Sequence, residues 1–226
     1  MPFCAVAVVS AIIIVAITSS FVIVFILFAE FVCKDTIFFV TLQAEPKTIY
    51  MKHPLDVFKY CPRCGSAHWT ENNLKSKHCS DCGFTYYANP SSATAAFIVR
   101  RTQGCSELLV VRRGKEPAKG TLDLPGGFVD MEETVEEGML REIREETGLT
   151  INSCRYLFSI PNLYMYSSME VHTLDMFFLC EPKDGDVPQA ADDAEACQWL
   201  SLNEINPNDF GLRSIREGVI RFLSRC

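Results

Sequence analysis

The hydrophobic positions divide the 226-residue chain into three blocks. Residues 1–50 are apolar almost throughout and rich in β-branched side chains. Residues 51–90 carry paired cysteines among Pro, Gly, Ser and Asn. Residues 91–226 alternate segments of period two with segments of period 3.6, which is typical of an α/β or α+β domain. We therefore predict an apolar N-terminal segment, a small cysteine-rich domain and a larger domain of mixed secondary structure.

The third block predicts a sheet with two helices. A helix over 134–147 is followed by Gly148, a residue that often ends helices in the left-handed conformation. A second helix over 212–225 has its apolar residues on one face. The segments that read as strands are 92–100, 107–113, 154–160, 162–167, 171–181 and 196–202, with a strand–turn–strand over 121–130.

The apolar N-terminal segment has no charged side chain between residues 2 and 29. About 20 apolar residues suffice to cross a bilayer as a helix, so one interpretation is a transmembrane anchor. The nearest basic residues, Lys34, Lys47 and Lys52, all follow it, which predicts a cytoplasmic catalytic part. In the alternative interpretation residues 1–50 are an upstream extension of a protein that begins near Met51. Both interpretations stay open at this stage.

Eleven cysteines are present, and four of them form two CxxC pairs separated by 14 residues. Gly65 and Gly83 follow the two pairs, where a tight turn favours glycine. Two such turns can bring four thiolates to one zinc ion, and a closed four-cysteine site is structural. Redox pairs or buried thiols are the alternative. The predicted zinc ligands are Cys61, Cys64, Cys79 and Cys82. The other cysteines lack framework spacing, which favours a reducing compartment.

The stretch from 127 to 149 holds eight carboxylates and two arginines. Most of the formal net charge of −7 therefore lies in this one stretch, and the rest of the chain is almost neutral. This balance argues against a nucleic-acid-binding face, which would need a basic surface. It indicates instead one local site that attracts cations.

Three carboxylates of the predicted helix border its apolar face. Glu145 and Glu146 lie three and four positions after Glu142 near the helix C-terminus, where the carboxylates repel each other and oppose the helix dipole. A divalent cation among them would offset both effects, and Mg²⁺ prefers oxygen ligands. The alternative is a solvated acidic face, in which Arg141 pairs with Glu137 or Glu145.

The run G-x5-E-x7-R-E-I-x-E-E-x-G-L, from Gly127 to Leu149, resembles the Nudix box with every specified position filled. The resemblance covers residues 91–226. It implies an α/β/α sandwich with a mixed sheet, preceded here by a zinc ribbon at 51–90 and an apolar helix or extension at 1–50. It also implies hydrolysis of a nucleoside diphosphate linked to another moiety, with Mg²⁺ or Mn²⁺.

The same resemblance implies roles for individual residues. Arg141 would orient a glutamate, and the general base would be Glu145, Glu146 or a carboxylate on a later loop. In that loop we favour Glu195 over its neighbours Asp192 and Asp193. The expected metal ligands are Glu133, Glu142, Glu145 and Glu146. Substrate phosphate would lie near Gly126, Gly127 and Arg113, although Arg112 and Arg113 equally suit exposed positions at a strand end.

A zinc ribbon ahead of this box resembles the NADH pyrophosphatase branch of the family. That branch carries S-Q-P-W-P-F-P-x-S after the box, and "SIPNLYMYS" matches it only at Ser159, Pro161 and Ser167. The architecture is therefore shared, while the substrate signature is mostly absent. We expect the ribbon to extend the substrate site or to mediate a homodimer. The rival hypothesis is a non-hydrolysing ligand sensor that uses the ribbon as an interaction module, and the intact glutamates favour the enzyme.

Overall fold

The computed structural model describes residues 11–18, 21–28, 52–102, 104–167, 169–191 and 194–225. The chain separates into two compact units, Met1–Met51 and Lys52–Cys226. The boundary between the ribbon and the larger domain at about residue 90 stays a prediction.

In the first unit, strands β1 (Ala11–Thr18) and β2 (Phe21–Phe28) pair antiparallel. The prediction of an apolar helix was therefore wrong for these residues. Their Ile, Val and Phe side chains favour extended backbone, and apolar length alone does not separate a helix from a strand. Within the described residues, no helix is both long and apolar enough to cross a membrane. The remainder of the predicted anchor lies outside the described residues.

The second unit opens with a three-stranded antiparallel sheet that carries the cysteine pairs. Its strands are β3 (Trp69–Asn73), β4 (Ser76–Cys79) and β5 (Thr85–Tyr87). Trp69 stacks on Phe84 beside the cysteines and fills a small core with them. A core of this size buries too little apolar surface to be stable alone, so a bound metal would supply the missing stability.

A six-stranded mixed sheet forms the centre of the larger domain, in the order β11-β7-β6-β10-β9 with β8 paired to β7. Only β6 and β10 run parallel. The strands are β6 (Ser91–Thr102), β7 (Cys105–Arg113), β8 (Leu122–Asp123), β9 (Ile151–Tyr166), β10 (Met169–Pro182) and β11 (Ala194–Ser201).

One helix covers each face of this sheet. Helix α1 (Val135–Thr147) packs Met139 and Ile143 on one face, and helix α2 (Arg213–Leu223) packs on the other. Strand β6 serves both cores, because Phe97 points to the α2 side and Ile98 to the α1 side. The predicted α/β/α sandwich with a mixed sheet is confirmed.

Helix α1 has the predicted ends, because the chain specifies them locally. Thr134 caps its N-terminus in a capping box with Glu137, and Gly148 ends it at φ 69°. The two segments predicted at 154–160 and 162–167 are one strand, β9, which continues through Pro161. Proline is tolerated there because β9 is the edge strand of the sheet.

Candidate functional site

The cysteine cluster consists of Cys61, Cys64, Cys79 and Cys82, and the four sulfur atoms all lie within 4.8 Å of one another. The Sγ atoms of Cys61 and Cys82 are 3.7 Å apart, as are those of Cys64 and Cys79. Tetrahedral zinc with Zn–S distances of about 2.3 Å separates its sulfurs by about 3.8 Å. A disulfide would need about 2.05 Å. The spacing therefore fits a zinc ion and excludes bonded pairs.

The backbone holds this cluster through two matching turns. The Gly65 N–H donates to the Cys61 carbonyl at 2.8 Å, and the Gly83 N–H donates to the Cys79 carbonyl at 2.9 Å. Both glycines have positive φ, at 76° and 71°, where a side chain would be strained. The predicted turns are thus present, and each places its own pair of thiols. Contacts between the turns link the two pairs, as where the Ser66 hydroxyl donates to Asp81 at 2.6 Å.

Arg141 is the centre of the second cluster, the glutamate cluster of Glu133, Glu142, Glu145 and Glu146. Its guanidinium binds Glu133 through two hydrogen bonds of 2.8 and 3.0 Å. Its Nη1 donates to Glu142 at 2.9 Å and to Glu145 at 3.0 Å. These hydrogen bonds lower the pKa of Glu133. Burial raises the pKa of Glu142, and Arg141 opposes that rise. Glu137 instead completes the helix cap.

Two glycines before the helix bring backbone against these carboxylates. A Cβ on Gly127 would lie 2.5 Å from the Glu142 Oε1 atom, so only glycine leaves room for this carboxylate. The Gly126 N–H donates to the Glu146 Oε2 atom at 3.0 Å. Gly126 has φ 149°, and a Cβ there would strike the Thr94 carbonyl. The loop and the end of α1 are therefore fitted to each other.

A cleft of about 440 Å³ contains both glycines and three of the four glutamates. Its walls come from the loop before α1, the ends of β6, β9 and β10, and the start of α2. Phe128 and Tyr164 both line it and contact each other edge to face, with ring centroids 5.9 Å apart. Arg113, Lys115, Asp123 and Tyr166 also line it. A space of this size, with acidic, basic and aromatic walls, suits a phosphorylated aromatic ligand.

Arg113 lies in the cleft but has a partner. It forms an ion pair with the buried Asp123, donates to the Pro117 carbonyl at 2.7 Å and approaches the Tyr164 hydroxyl at 3.4 Å. Burial raises the pKa of Asp123, and Arg113 opposes that rise. Arg112 is exposed and donates to the Gly120 carbonyl. Of the two arginines, Arg113 is thus the one that lines the cleft, and its guanidinium is already paired with Asp123.

Five buried polar residues of the cleft were missed by the sequence analysis, namely Thr94 and Asp123, and on β9 and β10 the group Asn162, Thr173 and Asp175. The last three residues lie together. We call them the acceptor site. Asn162 lies on β9, and the other two lie on β10. The available signal was Asp175 itself, an aspartate inside the apolar run "TLDMFF", because buried carboxylates are rare unless they have partners.

Glu195 is not brought into the cleft. It lies exposed near the start of β11 and is not among the residues that line the cleft. Asp192 and Asp193, the other candidates in that loop, lie outside the described residues. Within the glutamate cluster, Glu146 is the most buried carboxylate.

The glutamate cluster fits a hard divalent cation by its chemistry. All its donors are carboxylate oxygens, which suit Mg²⁺ or Mn²⁺. Among the described residues, only the cysteine cluster has three or more ligand atoms mutually within 4.8 Å. The four glutamates would therefore have to converge around an ion.

Comparison with known proteins agrees with this architecture. The family described as the NUDIX domain matches residues 90–221, which is more than half of the chain. An ADP-ribose pyrophosphatase of Methanocaldococcus jannaschii is 30% identical over 141 residues, covering 62% of this chain and 78% of that protein. An NAD-capped RNA hydrolase NudC of Deinococcus radiodurans is 27% identical over 147 residues, covering 65% of this chain. The chain spans about half the length of that relative, 50%.

A solved structure shares the fold. The NUDIX hydrolase from Nitrosomonas europaea superposes with a TM-score of 0.56 at 22% identity, covering 74% of this chain and 91% of that one. The box from Gly127 to Leu149, the sandwich that carries it and the matching domain all lead to one assignment. The chain belongs to the Nudix hydrolase family.

Proposed function

We propose that this protein hydrolyses the pyrophosphate bond of a nucleoside diphosphate linked to another moiety, with a divalent cation at the glutamate cluster. The observation that carries the proposal is the convergence of Gly126, Gly127 and the glutamates on one wall of the cleft. Relatives named as an ADP-ribose pyrophosphatase and an NAD-capped RNA hydrolase support a dinucleotide-type substrate.

Glu142, Glu145 and Glu146 would hold the cation, with Glu133 fixed behind them by Arg141. Such an ion supplies charge neutralisation on the diphosphate and activates a water molecule. Glu146 is 9% exposed and accepts the Gly126 N–H, so one oxygen is held in place. Its carboxylate is the group we assign to accept the proton from the attacking water.

The aromatic side chains of the cleft would bind the organic part of the substrate. Phe128 is 38% exposed and Tyr166 is 63% exposed, so both present open ring surface at the cleft. An aromatic base can stack on such a ring. Lys115 lines the same cleft and offers a positive charge to the phosphates.

We further propose that the cysteine cluster binds one structural zinc ion, because its sulfur spacing matches tetrahedral coordination. We also propose a reducing compartment, because the cysteines outside the two CxxC pairs lack the spacing of a disulfide framework. The rival function, a ligand sensor without activity, has no specific observation in its favour.

The deciding experiment is an assay of the full chain on a diphosphate panel with Mg²⁺ or Mn²⁺. The panel contains ADP-ribose, NADH, nucleotide sugars, diadenosine polyphosphates and NAD-capped RNA. We expect turnover of at least one member, abolished by a chelator and restored by added metal. Absence of turnover across the panel, with intact zinc content, would contradict the proposed reaction.

A further inference from the structure

The acceptor site is polar and almost fully buried, yet it faces the cleft. Asn162, Thr173 and Asp175 are 7%, 3% and 8% exposed. All three belong to the cleft lining. Strand β10 places Asp175 on the same side as Phe177, whose ring lies in the core beneath α2. The apolar row of this strand therefore changes to polar residues at the point where the cleft begins.

The hydrogen bonds within this site leave acceptors unused. Asp175 accepts from the Asn162 Nδ2 atom at 3.2 Å and from the Thr173 hydroxyl at 2.6 Å, one bond on each carboxylate oxygen. A carboxylate offers about four lone-pair directions, so two remain. The Asn162 amide must donate to Asp175, which leaves its oxygen as an acceptor. No described residue donates to that oxygen, and it is not sealed from solvent.

The carboxylate of this site also differs from its buried neighbour in its partners. Asp123, another buried carboxylate of the cleft, is paired with Arg113. Asp175 has no cationic partner within the described part of the chain. Since a buried carboxylate needs hydrogen-bond donors, the site is suited to a ligand that brings them.

Asp175 lies at a distance from the glutamate cluster that a nucleoside diphosphate can span. Asp175 lies beside Ala93 in the parallel register of β10 and β6, and Ala93 in turn pairs with Phe128. Phe128 directly follows Gly127, the glycine against Glu142. Two strand spacings, about 10 Å, thus separate the backbone of Asp175 from the loop at the glutamate cluster. A substrate with its diphosphate at the glutamates would extend its nucleoside toward the acceptor site.

We propose that Asp175 and Asn162 recognise two neighbouring hydrogen-bond donors on the nucleoside part of the substrate. This inference rests on the proposed function, since it concerns the same cleft. Two groups carry this chemistry, the adjacent N–H groups of a guanine edge and the cis hydroxyls of a ribose. Phe128 would stack on the base in either case.

Binding of mononucleotides tests the proposal without any bond being cleaved. Isothermal titration with GMP, IMP and dGMP compares ligands that differ by one donor, the amino group in IMP and the 2′-hydroxyl in dGMP. We expect wild type to bind GMP about ten-fold more tightly than one of the other two. Asp175→Asn should lose that preference, because its amide replaces one acceptor by a donor. Asp184→Asn removes an exposed charge outside the cleft and should retain it.

The binding preference that is lost in D175N identifies the donor pair on the ligand. A preference over IMP that disappears in D175N assigns the base edge, and a preference over dGMP that disappears assigns the ribose. The proposal is overturned if wild type shows neither preference, if it binds none of the three, or if folded D175N keeps the wild-type ranking.

A second variant covers the event that D175N does not fold, as judged by circular dichroism. Asn162→Leu removes the unused amide oxygen from the edge strand, and an unchanged ranking in this variant overturns the proposal. Failure of the inference remains distinct from failure of the proposed function. A protein without hydrolytic activity can still discriminate mononucleotides, and an active enzyme can lack this preference.

Discussion

The cysteine cluster and the glutamate cluster both gather ligands for a cation, but the chain holds them differently. The cysteine sulfurs are already at coordination spacing, fixed by short turns on either side. Three of the four glutamates are hydrogen-bonded to the Arg141 guanidinium. The fourth, Glu146, accepts from the Gly126 N–H instead. The first arrangement suits an ion that stays and stabilises. The second suits an ion that arrives with a phosphorylated substrate and must leave coordination positions open.

The largest expected effect is on the cysteine cluster. Cys79→Ser should remove about one equivalent of zinc, because the site has no spare ligand. Elemental analysis measures the loss, and limited proteolysis should find new cleavage between residues 61 and 87. Cys105→Ser, at an exposed cysteine outside the cluster, is the matched control. Zinc content equal to wild type in C79S would contradict a four-cysteine zinc site.

The next effect concerns the glutamate cluster. Glu146→Gln preserves an acceptor for the Gly126 N–H but removes the basic carboxylate, so we expect about a 1,000-fold loss of kcat with the fold retained. Steady-state kinetics on the best substrate of the panel measure the effect on the glutamate cluster, and zinc content reports on the cysteine cluster. Zinc should be unchanged. Full activity in this variant would assign the base elsewhere.

A smaller effect is expected at Arg141. Lysine keeps the charge but cannot make the two parallel hydrogen bonds to Glu133, so Arg141→Lys should lower kcat/KM by about ten-fold. The loss should shrink at high Mg²⁺ if Arg141 only positions the ligands. Arg144→Lys on the exposed side of the same helix is the control. Equal loss in both variants would assign the effect to the helix.

The smallest effect is expected at Glu195. Its side chain is exposed and does not line the cleft, so Glu195→Gln should change kcat by less than about two-fold. A bell-shaped pH profile that loses one limb in this variant would return Glu195 to the reaction, as the family resemblance suggested.

Local signals carried most of what the sequence could predict. The capping box at Thr134, the glycine after α1 and the paired cysteines each act within a few residues, so their spacing determines their geometry. The glutamates bordering the apolar face followed from helical periodicity alone.

The failures needed information from distant residues. The N-terminal apolar stretch fits a helix or a strand by composition, and the choice depends on the partner that pairs with it. The acceptor site depends on the register between β9 and β10, which joins Asn162 to Asp175 across 13 positions. Single-chain patterns contain neither the register nor the cleft that makes these residues accessible.

Gly127 shows how a linear motif encodes a volume. Its missing Cβ leaves the space that the Glu142 carboxylate occupies. The glycine that begins the box and the first of the three helix glutamates therefore depend on each other sterically. An alanine there would meet only the mobile end of a side chain, and the fold would tolerate it. The carboxylate, however, would have to move. Substitution at this position would therefore yield a stable protein with a displaced ligand, a fault visible in turnover and hidden from any measure of folding.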